Sequence, residues 1–169
     1  MYLRKILFML GSLVVLQSWA SSVHAQFACV PTTPGIKSMT EEIIQIRNKD
    51  GEVIDLNVLV ADDHRERAAG FQHVCPEVIQ TRLILFKYEQ EVYGKFHMNN
   101  VHAPLEIGFF DQQGILIKSM IMDVYEDDYR PLYGPTSRFQ FALEARVGFF
   151  AEHRLVDGQS QIDIQGFLN

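Results

Sequence analysis

Apolar residues recur at every second position in short bursts, and no burst is long enough for a helix of ordinary length. Phe139, Phe141 and Leu143 alternate with Gln140, Ala142 and Glu144, while Leu56, Val58 and Val60 alternate with Asp55 and Asn57. A period of two sends successive side chains to opposite faces of a strand, so one face of each should be buried and the other wet. On this reading Phe139, Phe141 and Leu143 face inward, and Gln140 and Glu144 face away. Asp50-Gly51 lies between apolar stretches at 43–46 and 53–60, a hairpin signal. Further strands are expected over 83–88, 95–98, 105–111, 115–122 and 161–164. A turn should occupy 111–114, and a long surface loop 123–137, where Pro131, Gly134 and Pro135 occur. A single short helix is expected over 63–69, with Asp62 as its N-cap, Glu66 in its first turns and Gly70 ending it. Seven to eight short strands, one short helix and no βαβ rhythm predict a mainly β, single-domain β-sandwich or partly open barrel.

The first 25 residues carry an address. Arg4 and Lys5 precede an apolar stretch at 6–16, and Val23-His24-Ala25 places small residues where a signal peptidase reads them. The apolar stretch is too short to span a bilayer, which predicts a cleaved export signal over residues 1–25. Cleavage after Ala20 and an uncleaved anchor are the alternatives. Residues 26–41, rich in Pro, Thr and Ser, are expected to be extended, and residues 42–169 to form the domain.

Removing residues 1–25, which hold two positive charges and no carboxylate, moves the formal charge from −6 to −8 and leaves 144 residues of 169. That is enough chain for one domain with a real core. An acidic chain without a basic run is a poor match to a phosphate backbone, so no nucleic-acid partner is expected. No second apolar segment follows Ala25, so no stable membrane insertion is expected after cleavage. Cys29 and Cys75 both lie beyond the signal, and two thiols exported together are expected to pair. A bridge closing a loop of roughly 45 residues contributes about 4 kcal/mol on the chain-entropy model. A lipid-modified Cys29 and metal binding by the two thiols are weaker alternatives.

The densest polar stretch is 96–106, where His97 and His102 flank Met98, Asn99 and Asn100, and Glu106 follows Pro104. Imidazole and thioether ligands suit copper, but a five-residue spacing across a turn fixes no common face, and Met98 at a strand end reads as core. Glu106, Asp111, Asp123 and Glu144 could supply a pair of carboxylates if their strands are neighbours. Asp111 also reads as a turn residue, and Glu144 as a solvated side chain or a cap on the bend at Gly148. Glu126-Asp127-Asp128 lacks the spacing and central Gly of a calcium loop. No nucleophile elbow, phosphate loop, zinc helix or paired-cysteine motif occurs.

Four ordered pieces of the chain resemble a bacterial and archaeal family known as domain of unknown function 192. Glu66-Arg67-Ala68-Ala69-Gly70-Phe71 resembles the family's E-R-x-x-G-L segment, and Ile84-Leu85-Phe86-Lys87-Tyr88 its M-L-F-x-F strand. Phe96-His97-Met98-Asn99-Asn100, with residues 104–114, resembles its F-W-M-x-N-T and P-L-D-I-x-F-I-D-x-x-G run. Leu143-Glu144 with Gly148 is similar to its L-E-x-x-x-G. Departures stand at Gln72 and Val74, where the family usually carries Met and Arg, and at His97, Val101 and Glu106, which replace an aromatic residue, Thr and Asp. A site built on that Arg or Asp is therefore not carried over. The resemblance implies a small, mostly β, often exported domain and no established activity, cofactor or substrate.

These observations predict a periplasmic or secreted binding or accessory module of the cell envelope, with an unknown small molecule or envelope protein as partner. Asn99, Asn100, Glu106 and Glu144 are the candidate ligand-binding residues, because polar residues beside core strands are where a site is sought. No metal and no cofactor are expected. The alternatives are an envelope hydrolase using paired carboxylates and a copper-handling protein.

Overall fold

The computed structural model describes residues 29–126 and 128–165; the expected signal segment and its cleavage point lie outside them. The elements are α1 (Pro34–Ser38), β1 (Thr40–Arg47), β2 (Val53–Ala61), α2 (His64–Ala69), α3 (Pro76–Ile79) and β3 (Ile84–Val92), then β4 (Leu105–Phe110), β5 (Leu116–Met122), β6 (Phe139–Arg146), α4 (Phe149–Glu152) and β7 (Gln161–Ile162). The strands form one sheet in the order β5-β4-β6-β3-β2-β1-β7. All neighbours are antiparallel except β2 and β3, whose parallel pairing needs a crossover, and α2 and α3 lie in it. The two ends of the sheet approach each other where Leu116 donates to Ser160 O and Ile162 donates to Gly114 O, both at 2.8 Å. The sheet is thus a curled half-barrel, the partly open barrel of the sequence expectation rather than the sandwich.

Curling gives the sheet an inner and an outer face. Ile44, Ile46, Leu56, Val58, Val60, Leu85, Phe110, Leu116, Phe141, Leu143 and Ile162 fill the inside, with Phe150 from α4. Gly108 lies on this side because a side chain there would meet the Phe150 ring at 2.3 Å. The outer face is bare at β1, where Ile43 is 73% exposed, and covered further along. There Leu59, Ala61, Ile84, Phe86, Ile107, Phe109 and Ala142 pack beneath Phe71, Val74, Ile79, Met98 and Val101 from the connecting segments.

This second layer corrects the reading of β6. Phe141 and Leu143 face inward as expected, but Ala142 and Glu144 on the opposite face are buried too, and Phe139 belongs to the outer cluster. β6 is central, between β4 and β3, and a strand covered on both sides buries both faces. The pairing of β3 with β6 shifts register between Lys87 and Val92, next to Phe139.

The expected helix at 63–69 forms as α2, but its cap is Asp63, not Asp62. Asp63 Oδ1 accepts from the amides of Arg65 and Glu66 at 2.6 and 2.8 Å, while Glu66 Oε2 accepts from the amide of Asp63, a reciprocal capping box. Three further helices of four or five residues were not expected, being too short to show a 3.6-residue period. One of them, α1, interrupts the stretch read as extended. The segment 95–98 is not a strand; it is held by a single bridge in which Phe96 and Tyr133 exchange backbone hydrogen bonds of 2.7 and 2.9 Å. Cys29 and Cys75 are joined by a disulfide. It ties the N-terminal stretch to the start of α3, where Val30 also bridges Val74.

Candidate functional site

Glu144 stands on β6 opposite Ile84 of β3 and Ile107 of β4, so its side chain leaves the outer face of the sheet between two apolar strands. It is 5% exposed, and its Oε2 has no hydrogen-bond partner. Burial pushes its carboxyl up to about 8, because an apolar site disfavours the charged form. The carboxyl is therefore largely protonated at neutral pH, when it can both donate and accept a hydrogen bond.

Glu144 lies in a cavity of about 100 Å³ bounded by α2 and the residues after it on one side and by Phe96, His97 and Val101 on the other. Gly70 lines the cavity beside it. This residue ends α2 at φ 47°, with its N–H on Glu66 O, and a Cβ here would stand 3.8 Å from Glu144 Oε2 and 3.5 Å from the Phe86 ring. The positive φ favours glycine, whereas a Cβ would stand at ordinary contact distance from the acid and the ring. Arg67, one turn earlier, lies over the Tyr88 ring at 4.9 Å and donates to Lys87 O at 2.9 Å and to Asp62 O. Burial raises the Tyr88 hydroxyl, with Arg67 pulling the other way. Lys95 donates to Gly134 O and Pro135 O at 2.9 and 3.1 Å, and His97 Nδ1 accepts from the Asn99 amide at 3.3 Å.

The four sequence-predicted residues do not converge. Asn99 and Asn100 are exposed at a turn. Asn100 adopts φ 57°, its carbonyl accepts from the His73 amide at 2.7 Å, and its side chain reaches Gln72 at 3.4 Å. Glu106 pairs across the sheet with Ala145, an inner-face residue, and so lies on the opposite face from Glu144. Its Oε2 accepts from the amides of Gly148 and Phe150 at 3.0 and 3.2 Å. The turn-capping role considered for Glu144 is thus filled by Glu106. Asp111 caps its own turn, accepting from Gln113 and Ile115. Met98 is core, and His102 Nε2 is buried without a partner. Among the described residues no three His, Cys, Asp or Glu are arranged to hold a metal ion.

Sequence reasoning missed Arg67, Gly70, Tyr88, Lys95 and His97 as cavity residues. A signal was nevertheless present. All four pieces that carry the family resemblance line this one cavity: Arg67, Gly70 and Phe71 from the first, Phe86 and Tyr88 from the second, Phe96 and His97 from the third, and Glu144 from the fourth.

Comparison with known proteins places the resemblance on firm ground. The DUF192 family, described as "Uncharacterized ACR", matches residues 45–162. The chain belongs to this family. No curated protein matches it. Among solved structures it is similar to a protein from Sinorhizobium meliloti 1021 proposed to be a transcription regulator, at 18% identity and a TM-score of 0.65 over 75% of this chain and 95% of that one. It is also similar to a protein of unknown function from Novosphingobium aromaticivorans DSM 12444, at 16% identity and a TM-score of 0.63 over 80% and 94%. These likenesses establish that the DUF192 domain described here shares their fold. No helix among the described residues is long and apolar enough to cross a membrane.

Proposed function

We propose that this DUF192 domain is an exported binding module of the cell envelope, and that its ligand site is the cavity over Glu144. The observation carrying this reading is the convergence of all four family-like pieces on one cavity whose floor is a buried, unpartnered acid. A buried polar atom without a partner is costly, and a ligand that supplies the partner recovers that cost on binding. Export is supported by the signal-like residues 1–25 and by the disulfide, which persists in oxidising compartments. The exposed Asn99 and Asn100, beside Gln72 at the cavity rim, are placed to meet the part of a ligand that stays outside. Glu106 supports the site only indirectly, by fixing α4 on the inner face.

A second reading, an enzyme with Glu144 as general acid or base, is favoured by the raised carboxyl. It is not favoured in its paired-carboxylate form, since Glu106 and Glu144 occupy opposite faces.

Native mass spectrometry of the protein recovered from its own envelope fraction tests the proposal. The expected species begins at Gln26, carries no free thiol and retains a small molecule that is absent when Gly70 is replaced by Leu. Recovery from the cytoplasm with the N-terminal segment attached contradicts export, and a ligand retained by the Gly70→Leu variant contradicts the site.

A further inference from the structure

The charge around the cavity specifies what kind of group it takes. Two cations line it, Arg67 from α2 and Lys95 from the segment before Phe96. Their hydrogen bonds go to main-chain carbonyls, and neither stands within ion-pair distance of a carboxylate among the described residues. The pull that Arg67 exerts on an acid is felt at Asp63, whose carboxyl is held low chiefly by the Glu66 amide and only in smaller part by Arg67. The one carboxyl in the lining is Glu144, and its shift has burial as its sole cause, so neither cation serves it as a counter-ion. A chain of formal charge −6 therefore contains a cavity whose charged lining groups are positive while Glu144 is neutral.

We infer that the cavity receives the carboxylate end of an organic acid, hydrogen-bonded to the Glu144 carboxyl and held in the field of Arg67 and Lys95. The inference rests on the reading of this cavity as the ligand site. Each part of the arrangement bears on the choice of group. A ligand carboxylate accepts the hydrogen bond that the uncharged Glu144 donates and gives Oε2 the partner it lacks. An organic cation meets two like charges, and a neutral amide satisfies Glu144 but gains nothing from them. A cavity of about 100 Å³ accommodates a carboxylate and little more, so the remainder of the acid lies outside. Gln72, His97 and Val101, three of the positions where this chain departs from the family pattern, line the cavity and are placed to select among acids.

The binding is proton-linked. The titratable and charged groups lining the cavity are Arg67, Tyr88, Lys95, His97 and Glu144, and β4 presents the apolar Ile107 opposite Glu144. Above about pH 8 Glu144 loses its proton, and two carboxylates then face each other, so affinity falls roughly tenfold per pH unit.

Backbone amide NMR of the purified protein, titrated separately with sodium acetate, acetamide and methylammonium chloride at pH 6 and pH 9, tests this. Acetate at pH 6 should shift the amides of residues 67–72 and 96–101 saturably, and at pH 9 should bind at least tenfold more weakly. Glu144→Gln, which keeps a donor, should bind acetate with no such dependence, and Lys95→Gln should weaken binding several-fold at both pH values. Acetamide binding as tightly as acetate, or methylammonium shifting the same amides in its place, overturns the carboxylate assignment and leaves the cavity as a ligand site. If no probe shifts these amides, the assignment and the ligand site fall together.

Discussion

Glu106 and Glu144 stand on adjacent strands of one sheet and meet opposite fates. Glu106 faces inward toward α4, where the amides of Gly148 and Phe150 are turned to its carboxyl. Glu144 faces outward into a layer of Phe86, Ile84 and Ile107, where no donor is turned to it, and burial makes it a weak acid. The first carboxyl completes the fold, and the second is left incomplete by it. Burial of an acid is thus not a single condition; the surrounding backbone donors decide whether it caps amides as a carboxylate or holds its proton.

The largest expected effect tests the face that Glu106 serves. Phe141→Ala removes an inner-face ring and should lower unfolding free energy by about 3–5 kcal/mol in denaturant titration. A loss below about 1 kcal/mol would mean that the inner layer does not carry the barrel.

Next comes the acid without a partner. A carboxyl at 4.5 when unfolded and about 8 when folded binds more protons in the folded state between those values. Its contribution is therefore complete below pH 4.5 and is lost as pH rises to about 8. Glu144→Gln removes that loss and should stabilise the protein at pH 7 by up to about 3 kcal/mol relative to its effect at pH 4.5. A difference between variant and parent that stays constant with pH would break the contrast between the two glutamates.

Glu106→Ala strands two amides and should cost about 1–3 kcal/mol, readable as a lower Tm without loss of the cavity. The smallest effect is expected at Gly70→Ala. A side chain at φ 47° should cost roughly 1 kcal/mol. The same change should also weaken whatever binds over Glu144, which separates it from a purely structural substitution.

The sequence showed the inner face more plainly than the outer. Leu56, Val58 and Val60 alternate with polar neighbours because β2 begins at the bare part of the outer face, so the period is visible and the strand is placed correctly. Glu144 is also placed correctly, opposite Phe141, but its burial is invisible locally. The cover comes from Gly70, Phe71 and Val101, at least 43 residues away along the chain. Asn99 and Asn100 stood out by composition, yet a turn with φ 57° at Asn100 explains much of their presence. Arg67 and Tyr88 were legible only as members of family-like pieces, Arg67 within the charged run 62–67; the crossover helix α2 and the neighbouring strand β3 bring them beside Glu144. The family-like pieces were legible as pieces, and their convergence required the fold.

The most direct test of the account is the titration of Glu144 itself, followed through its side-chain carboxyl carbon by NMR in protein labelled at glutamate. The account predicts a midpoint near pH 8, well above that of an exposed glutamate, falling to an ordinary value on unfolding. A midpoint near 4.5 in the folded protein would mean that Glu144 is solvated or partnered, and would contradict the site built around it.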